Sequence, residues 1–119
     1  MSLILEQGFN VKRGQEEAFQ KWTTENDAAL KAGTPEGIEY LGTYVVSIST
    51  EKQAGEYRLL LRIDSHGALD TMHDAALDPT SEWGRLNREA TKFLDLPIGA
   101  EFSFSIYRPL IEAAIWDVS

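Results

Sequence analysis

Two groupings of residues in this chain are of types that could do chemistry. His66, Asp70, His73 and Asp74 follow one another at spacings of four, three and one. On a helix, the first three would come within reach of a single ion, and imidazole with carboxylate suits zinc, iron or manganese. A helical wheel, however, sets His66, Asp70 and Asp74 opposite Leu69 and Met72, toward solvent, with His73 at the edge of the apolar stripe. A polar, solvated helix face accounts for all four. No metal is expected, and His66, Asp70 and His73 stand only as the candidates for one.

The second grouping comes from strands. In the segments around residues 3–11, 56–64 and 101–108, apolar residues alternate with Glu6 and Asn10, with Arg58 and Arg62, and with Ser103, Ser105 and Tyr107. Side chains at even spacing in a strand share one face. If these strands are neighbours, Glu6 meets Arg58 or Arg62. Arg58 and Arg62 could then hold a carboxylate or enolate, with Tyr107 as hydrogen-bond donor or acid. Glu6, Asn10, Ser103 and Ser105 would serve as ligand-binding groups around them. An ion-pair network across an interface is the structural alternative for the same residues. Tyr40, Tyr44, Trp22 and Trp83 could line an aromatic pocket between sheet and helices, but aromatics at strand and helix spacing are read first as core. Gly8, Gly14 and Gly42 make no phosphate loop, and Ser103 and Ser105 have no histidine near in sequence.

The elements that must position these groups follow from periodicity. Leu3, Leu5, Phe9 and Val11 define one apolar strand face. Ala18, Phe19, Trp22, Ala29 and Leu30 form the stripe of a helix over 15–31, stopped by Gly33-Thr34-Pro35. A long strand is predicted over 38–50, with Ile38, Tyr40, Tyr44, Val46 and Ile48 on one face. The polar connection 51–55 then returns the chain into a strand over 56–64, in which Tyr57, Leu59, Leu61 and Ile63 share a face. A short helix is predicted from about Ser65, capped by Asp64 or Ser65, with Leu69, Met72 and Ala76 buried. Asp78-Pro79 is expected to open another helix, whose stripe is Trp83, Leu86, Ala90, Phe93 and Leu94. A fourth strand follows over 101–108.

The order β-α-β-β-α-α-β, with crossovers that return each strand beside its predecessor's gap, predicts an α+β ferredoxin-like fold: a four-stranded antiparallel sheet in the order 4-1-3-2 with helices on one face. Residues 1–109 would form this domain. Residues 110–119, with Leu110, Ile111, Ala113, Ala114, Ile115, Trp116 and Val118, would form an apolar arm that covers the sheet or a partner subunit.

Composition narrows the partners. Eleven basic against nineteen acidic residues leave a net charge of -8, unsuited to nucleic acid or to an anionic membrane surface. No apolar run approaches a membrane span, and Met1-Ser2-Leu3-Ile4-Leu5-Glu6 lacks the basic start of a signal peptide, so a cytoplasmic location follows by default. The absence of cysteine removes disulfides, thiolate sites and cysteine nucleophiles.

Element order, long strands and the passage Leu59-Leu60-Leu61-Arg62-Ile63-Asp64-Ser65 into Ala68-Leu69-Asp70-Thr71-Met72-His73 resemble the dimeric α/β-barrel superfamily. That group includes the antibiotic-biosynthesis monooxygenases, the haem-degrading monooxygenases and the stress-responsive barrel proteins. The resemblance implies a homodimer whose sheets pack through their helix-free faces, with a cavity in the barrel or between sheet and helices. The residues used by the haem-degrading branch do not carry over: where an asparagine, a tryptophan and a histidine are expected, this chain has Gln7, Met72 and Arg85-Leu86.

The sequence thus predicts a cofactor-free homodimer that binds a small, partly apolar molecule. Three activities are compatible with it: an oxygenase or isomerase, a non-catalytic stress-associated or ligand-binding dimer, and a metal-dependent enzyme on the His66/Asp70/His73 face.

Overall fold

The structure, a computed structural model, describes residues 2–51, 53–95 and 103–111. Strand β1 (Leu3–Phe9) lies at the centre, flanked by β3 (Tyr57–Ile63) and β4 (Ser103–Tyr107), with β2 (Ile38–Val45) outside β3. All pairings are antiparallel, and the spatial order β2-β3-β1-β4 is the one the crossovers predict. The helices are α1 (Glu16–Gly33), α2 (Ala68–Leu77) and α3 (Glu82–Thr91). No helix of the described residues is long and apolar enough to cross a membrane.

Alternation places Leu3, Leu5, Leu61, Ile63, Ile38 and Tyr40 under the helices. There they bury against Leu30 of α1, Ala68 of α2 and Trp83 and Leu86 of α3. A smaller cluster closes one end: Val11, Phe19 and Leu94, with Phe9, Trp22, Tyr57 and Phe93 packed on it. Phe19 is its hub, edge-on to Phe9 and Tyr57 and stacked on Trp22.

Several local expectations are corrected. β2 ends at Val45, eight residues long, where a strand over 38–50 was predicted; beyond one further bond from Val46 N–H to the Glu56 carbonyl, the chain leaves the sheet. Its length therefore gives no reason for a partner. A bulge between Tyr40 and Gly42, accommodated by Gly42 at φ 151, inserts one residue into β2 and reverses its alternation. Thr43 consequently shares the face of Tyr40, to which it is hydrogen-bonded at 2.6 Å, while Tyr44 comes opposite Arg58.

Helix α2 begins after His66 and Gly67, and neither Asp64 nor Ser65 caps it; the Ser65 hydroxyl turns to the Asp64 carboxylate at 3.3 Å. Asp78 builds a turn instead of opening a helix, accepting the Thr80 N–H and hydroxyl at 2.8 and 2.7 Å, and these bonds lower its carboxyl pKa. Ser81 is the N-cap of α3, accepting the Gly84 N–H at 3.1 Å. Beyond Ile111, the predicted arm lies outside the described residues.

Candidate functional site

Each face of the sheet carries a concavity among the described residues. On the helix-free face, β1, β3 and β4 bring Glu6, Arg58, Ser103, Ser105 and Tyr107 to the wall of an open hollow of about 490 Å³. The register explains this: Glu6 pairs with Ser105, and Gly8 pairs with both Arg58 and Ser103. Tyr107 Oη donates to Glu6 Oε1 at 3.2 Å, and Arg58 Nε stands 4.0 Å from the same oxygen.

The β2–β3 connection folds back over this face, and Val46, Ile48, Ser49 and Ala54 complete the wall. Two features hold it there. Gly8 leaves room for the Ala54 carbonyl, which a Cβ at that position would overlap. Arg58 Nη1 donates to the carbonyls of Ala54 at 3.3 Å, Tyr57 at 3.2 Å and Gly55. The Arg58 side chain is accordingly only 11% exposed. Its charge is balanced by Glu6 and part of its donor fork is spent on backbone, so it builds the hollow more than it offers an anion site.

The remaining sequence candidates lie elsewhere. Arg62 is at the far end of β3 and pairs with Glu39 of β2 at 2.6 Å, on the exposed surface. Asn10 follows β1 and acts as a joint: its Oδ1 accepts the Glu56 N–H at 2.9 Å and its carbonyl accepts the Asp95 N–H at 2.9 Å. His66, Asp70 and His73 are all exposed, and among the described residues no group of three histidine or acidic side chains is arranged to hold a metal ion. The reason is local: His66 precedes the first turn of α2, so the helical spacing that would aim it beside Asp70 is not realised.

The second concavity is a half-open cavity of about 110 Å³ between the sheet and helices α1 and α3. Phe9, Phe19, Trp22, Leu59, Trp83 and Leu86 supply much of its apolar lining, with Ala90 and Leu94 from α3 and its end. Of the four aromatics read as core, Trp22, Tyr40 and Trp83 do pack in the core, yet they also border open space; Tyr44 does not. The polar lining is Gln7, Tyr40, Thr43, Asn87 and Thr91. Burial pushes the Tyr40 phenol up, against the opposing effect of its hydrogen bond to Thr43, so it stays neutral.

Gln7 was missed as a site residue by sequence reading. The signal was present: a carboxamide stands where the alternation of Leu3, Leu5 and Phe9 calls for an apolar side chain. Among the described residues its side chain has no hydrogen-bond partner.

No protein-family profile matches the chain, and no curated protein sequence matches it. Solved structures do. A NIPSNAP family protein from Agrobacterium tumefaciens is 13% identical with a TM-score of 0.63, over 97% of this chain and 99% of that one. An uncharacterised NIPSNAP-like domain protein from Burkholderia xenovorans is 11% identical at 0.62, over 94% and 88%. A putative antibiotic biosynthesis monooxygenase from Nitrosomonas europaea is 13% identical at 0.54, over 92% and 99%. At these identities the likeness is one of fold: the chain has the ferredoxin-like α+β fold that these proteins share.

Proposed function

We propose that this protein binds a small, partly apolar molecule in the cavity between its sheet and helices α1 and α3. One observation carries the reading: an aromatic-walled space in which a carboxamide, Gln7, lacks a partner among the described residues. Apolar walls with a few convergent polar groups are the usual make-up of a small-molecule site.

Trp22 and Trp83 both border the space, so occupancy can be read from their fluorescence. Acetophenone and 2-naphthol are expected to give saturable quenching and to raise the melting temperature by mass action. Ala90→Phe, which fills the cavity from α3, should weaken both effects by about tenfold or more. Quenching that persists undiminished in that variant would sink the proposal.

A second reading concerns the helix-free face. Leu110 and Ile111, where the apolar arm begins, are 77% and 95% exposed, and Tyr44, Ile48 and Tyr107 are also exposed. Such side chains are expected to be covered by a second copy of the chain, making the homodimer that the barrel-type resemblance implies. An oxygenase or isomerase working on that face would rest on the Tyr107–Glu6 pair more than on Arg58, which is committed to the loop, or Arg62, which lies apart. Sedimentation velocity should report a dimer at micromolar concentration and a monomer for the double variant Leu110→Asp/Ile111→Asp. A wild-type monomer across the whole concentration range would rule out the pairing.

A further inference from the structure

The geometry points to an uncharged ligand bearing a carboxamide-type group, held by Gln7 and Asn87 in the cavity beneath α3; this rests on the proposed binding role of that cavity. The first argument is charge. A quarter of the chain is Asp, Glu, Lys or Arg, yet none of these residues, and no histidine, lines the cavity. Its one titratable group is the Tyr40 phenol, which burial keeps protonated. An ionised ligand entering there would lose hydration and meet no countercharge, a cost large enough to exclude it.

The second argument is an inventory of donors and acceptors. Tyr40 Oη and Thr43 Oγ1 share one hydrogen bond at 2.6 Å, which spends one of their two O–H donors. Thr91 Oγ1 donates to the Asn87 carbonyl and Asn87 Nδ2 donates to the Trp83 carbonyl, each at 2.7 Å. These bonds tie the cavity-lining hydroxyls and one end of the Asn87 amide to the protein itself. What remains, among the described residues, is the whole Gln7 carboxamide, with two N–H donors and a carbonyl, the Asn87 Oδ1 acceptor with the second Asn87 N–H, and the Trp22 indole N–H, which is buried without a partner.

A ligand that matches this remainder must present a carbonyl to Gln7 and N–H donors to Gln7 and Asn87, on an otherwise apolar body. A carboxamide does so. A carboxylate of the same shape has no donors and brings a charge, and a hydrocarbon of the same shape leaves Gln7 unpaired.

Three nearly isosteric probes separate these cases: benzamide, benzoate and α-methylstyrene. Titrations at neutral pH into isotopically labelled protein, followed by two-dimensional NMR, give affinities and show the side-chain amide signals of Gln7 and Asn87 directly. Benzamide is expected to shift both signals and to bind more than about tenfold tighter than benzoate. Gln7→Leu should weaken benzamide by about tenfold while leaving α-methylstyrene unchanged or slightly tighter. Gln7→Met provides the same comparison with an unbranched side chain should leucine disturb the fold, and the benzamide–benzoate contrast requires no variant.

Benzoate binding as tightly as benzamide would overturn the inference and leave the cavity as a binding site. Equal weakening of benzamide and α-methylstyrene by Gln7→Leu and by Gln7→Met would also overturn it, reducing Gln7 to a packing role. If none of the three probes perturbs the cavity, the binding reading itself falls.

Discussion

Leu86→Ala is expected to lower the folding stability by about 3 kcal/mol and, in the same variant, to open the cavity further. Leu86 is fully buried on α3 and packs in the cluster with Leu61, Ile63 and Trp83, so the methyl groups removed leave a void in the main core. It also lines the cavity, so the void joins a space that already exists. Helix α3 also packs closely on the end of α1: a Cβ at Gly33 would come within 3.1 Å of Glu82 Cγ and 3.7 Å of a Leu86 methyl. Denaturant titration should show a lower midpoint at unchanged slope. Bulky uncharged aromatics should bind the surviving folded protein more tightly than they bind the wild type. A loss below about 1 kcal/mol would mean that α3 is not seated on the sheet as described.

The second large effect is expected at Gly8. Its place near the end of β1, the strand between β3 and β4, lets the Ala54 carbonyl lie against the backbone of β1, and a methyl group there would collide with that oxygen. The obstacle is backbone, not the end of a flexible side chain, so the β2–β3 connection must lift. With it go the bonds from Arg58 Nη1 to the Ala54 and Gly55 carbonyls, and the buried guanidinium loses partners. Gly8→Ala is therefore expected to cost about 2–3 kcal/mol and to speed proteolysis in the β2–β3 connection.

Gly14→Ala is the control. Gly14, unlike Gly8, has a positive φ, +89, and nothing lies within 4 Å of its added Cβ, so only the backbone conformation is penalised, by about 1 kcal/mol. Should Gly8→Ala cost no more than Gly14→Ala, the connection does not rest on the sheet, and the hollow containing Glu6, Arg58 and Tyr107 loses one wall.

The two sites place opposite demands on their walls. The hollow on the helix-free face is charged, open and partly built by a loop; the cavity under α3 is uncharged and built from strands and helices. Side chains held on regular elements are positioned more rigidly than those on loops. The cavity beneath the helices is therefore the better-positioned place for a small ligand, and the open face the place for a second copy of the chain.

Read alone, the sequence determined the elements, their order and the strand neighbours. Leu3 and Leu5, Leu59, Leu61 and Ile63, and the stripe Trp83, Leu86 and Leu94 are periodic over short stretches, and periodicity is a local property. Strand order followed because crossovers have a preferred hand. It also determined that Glu6, Arg58, Ser103, Ser105 and Tyr107 would share a face, since alternation along each strand survives pairing.

Only the tertiary structure decided the rest. Arg58 and Arg62 are the same residue type on the same strand face, four positions apart, yet one is buried under a returning loop and the other is on the surface beside Glu39. The bulge at Gly42 turned Tyr44 to the other face, which no count of even spacings reveals. Gln7 became a cavity wall because α1 and α3 pack over the sheet around a space left unfilled beside it. These outcomes depend on groups distant in sequence: a loop carbonyl settling on Gly8, and two helices meeting above one strand. Their energies exist only once the chain has brought those groups together.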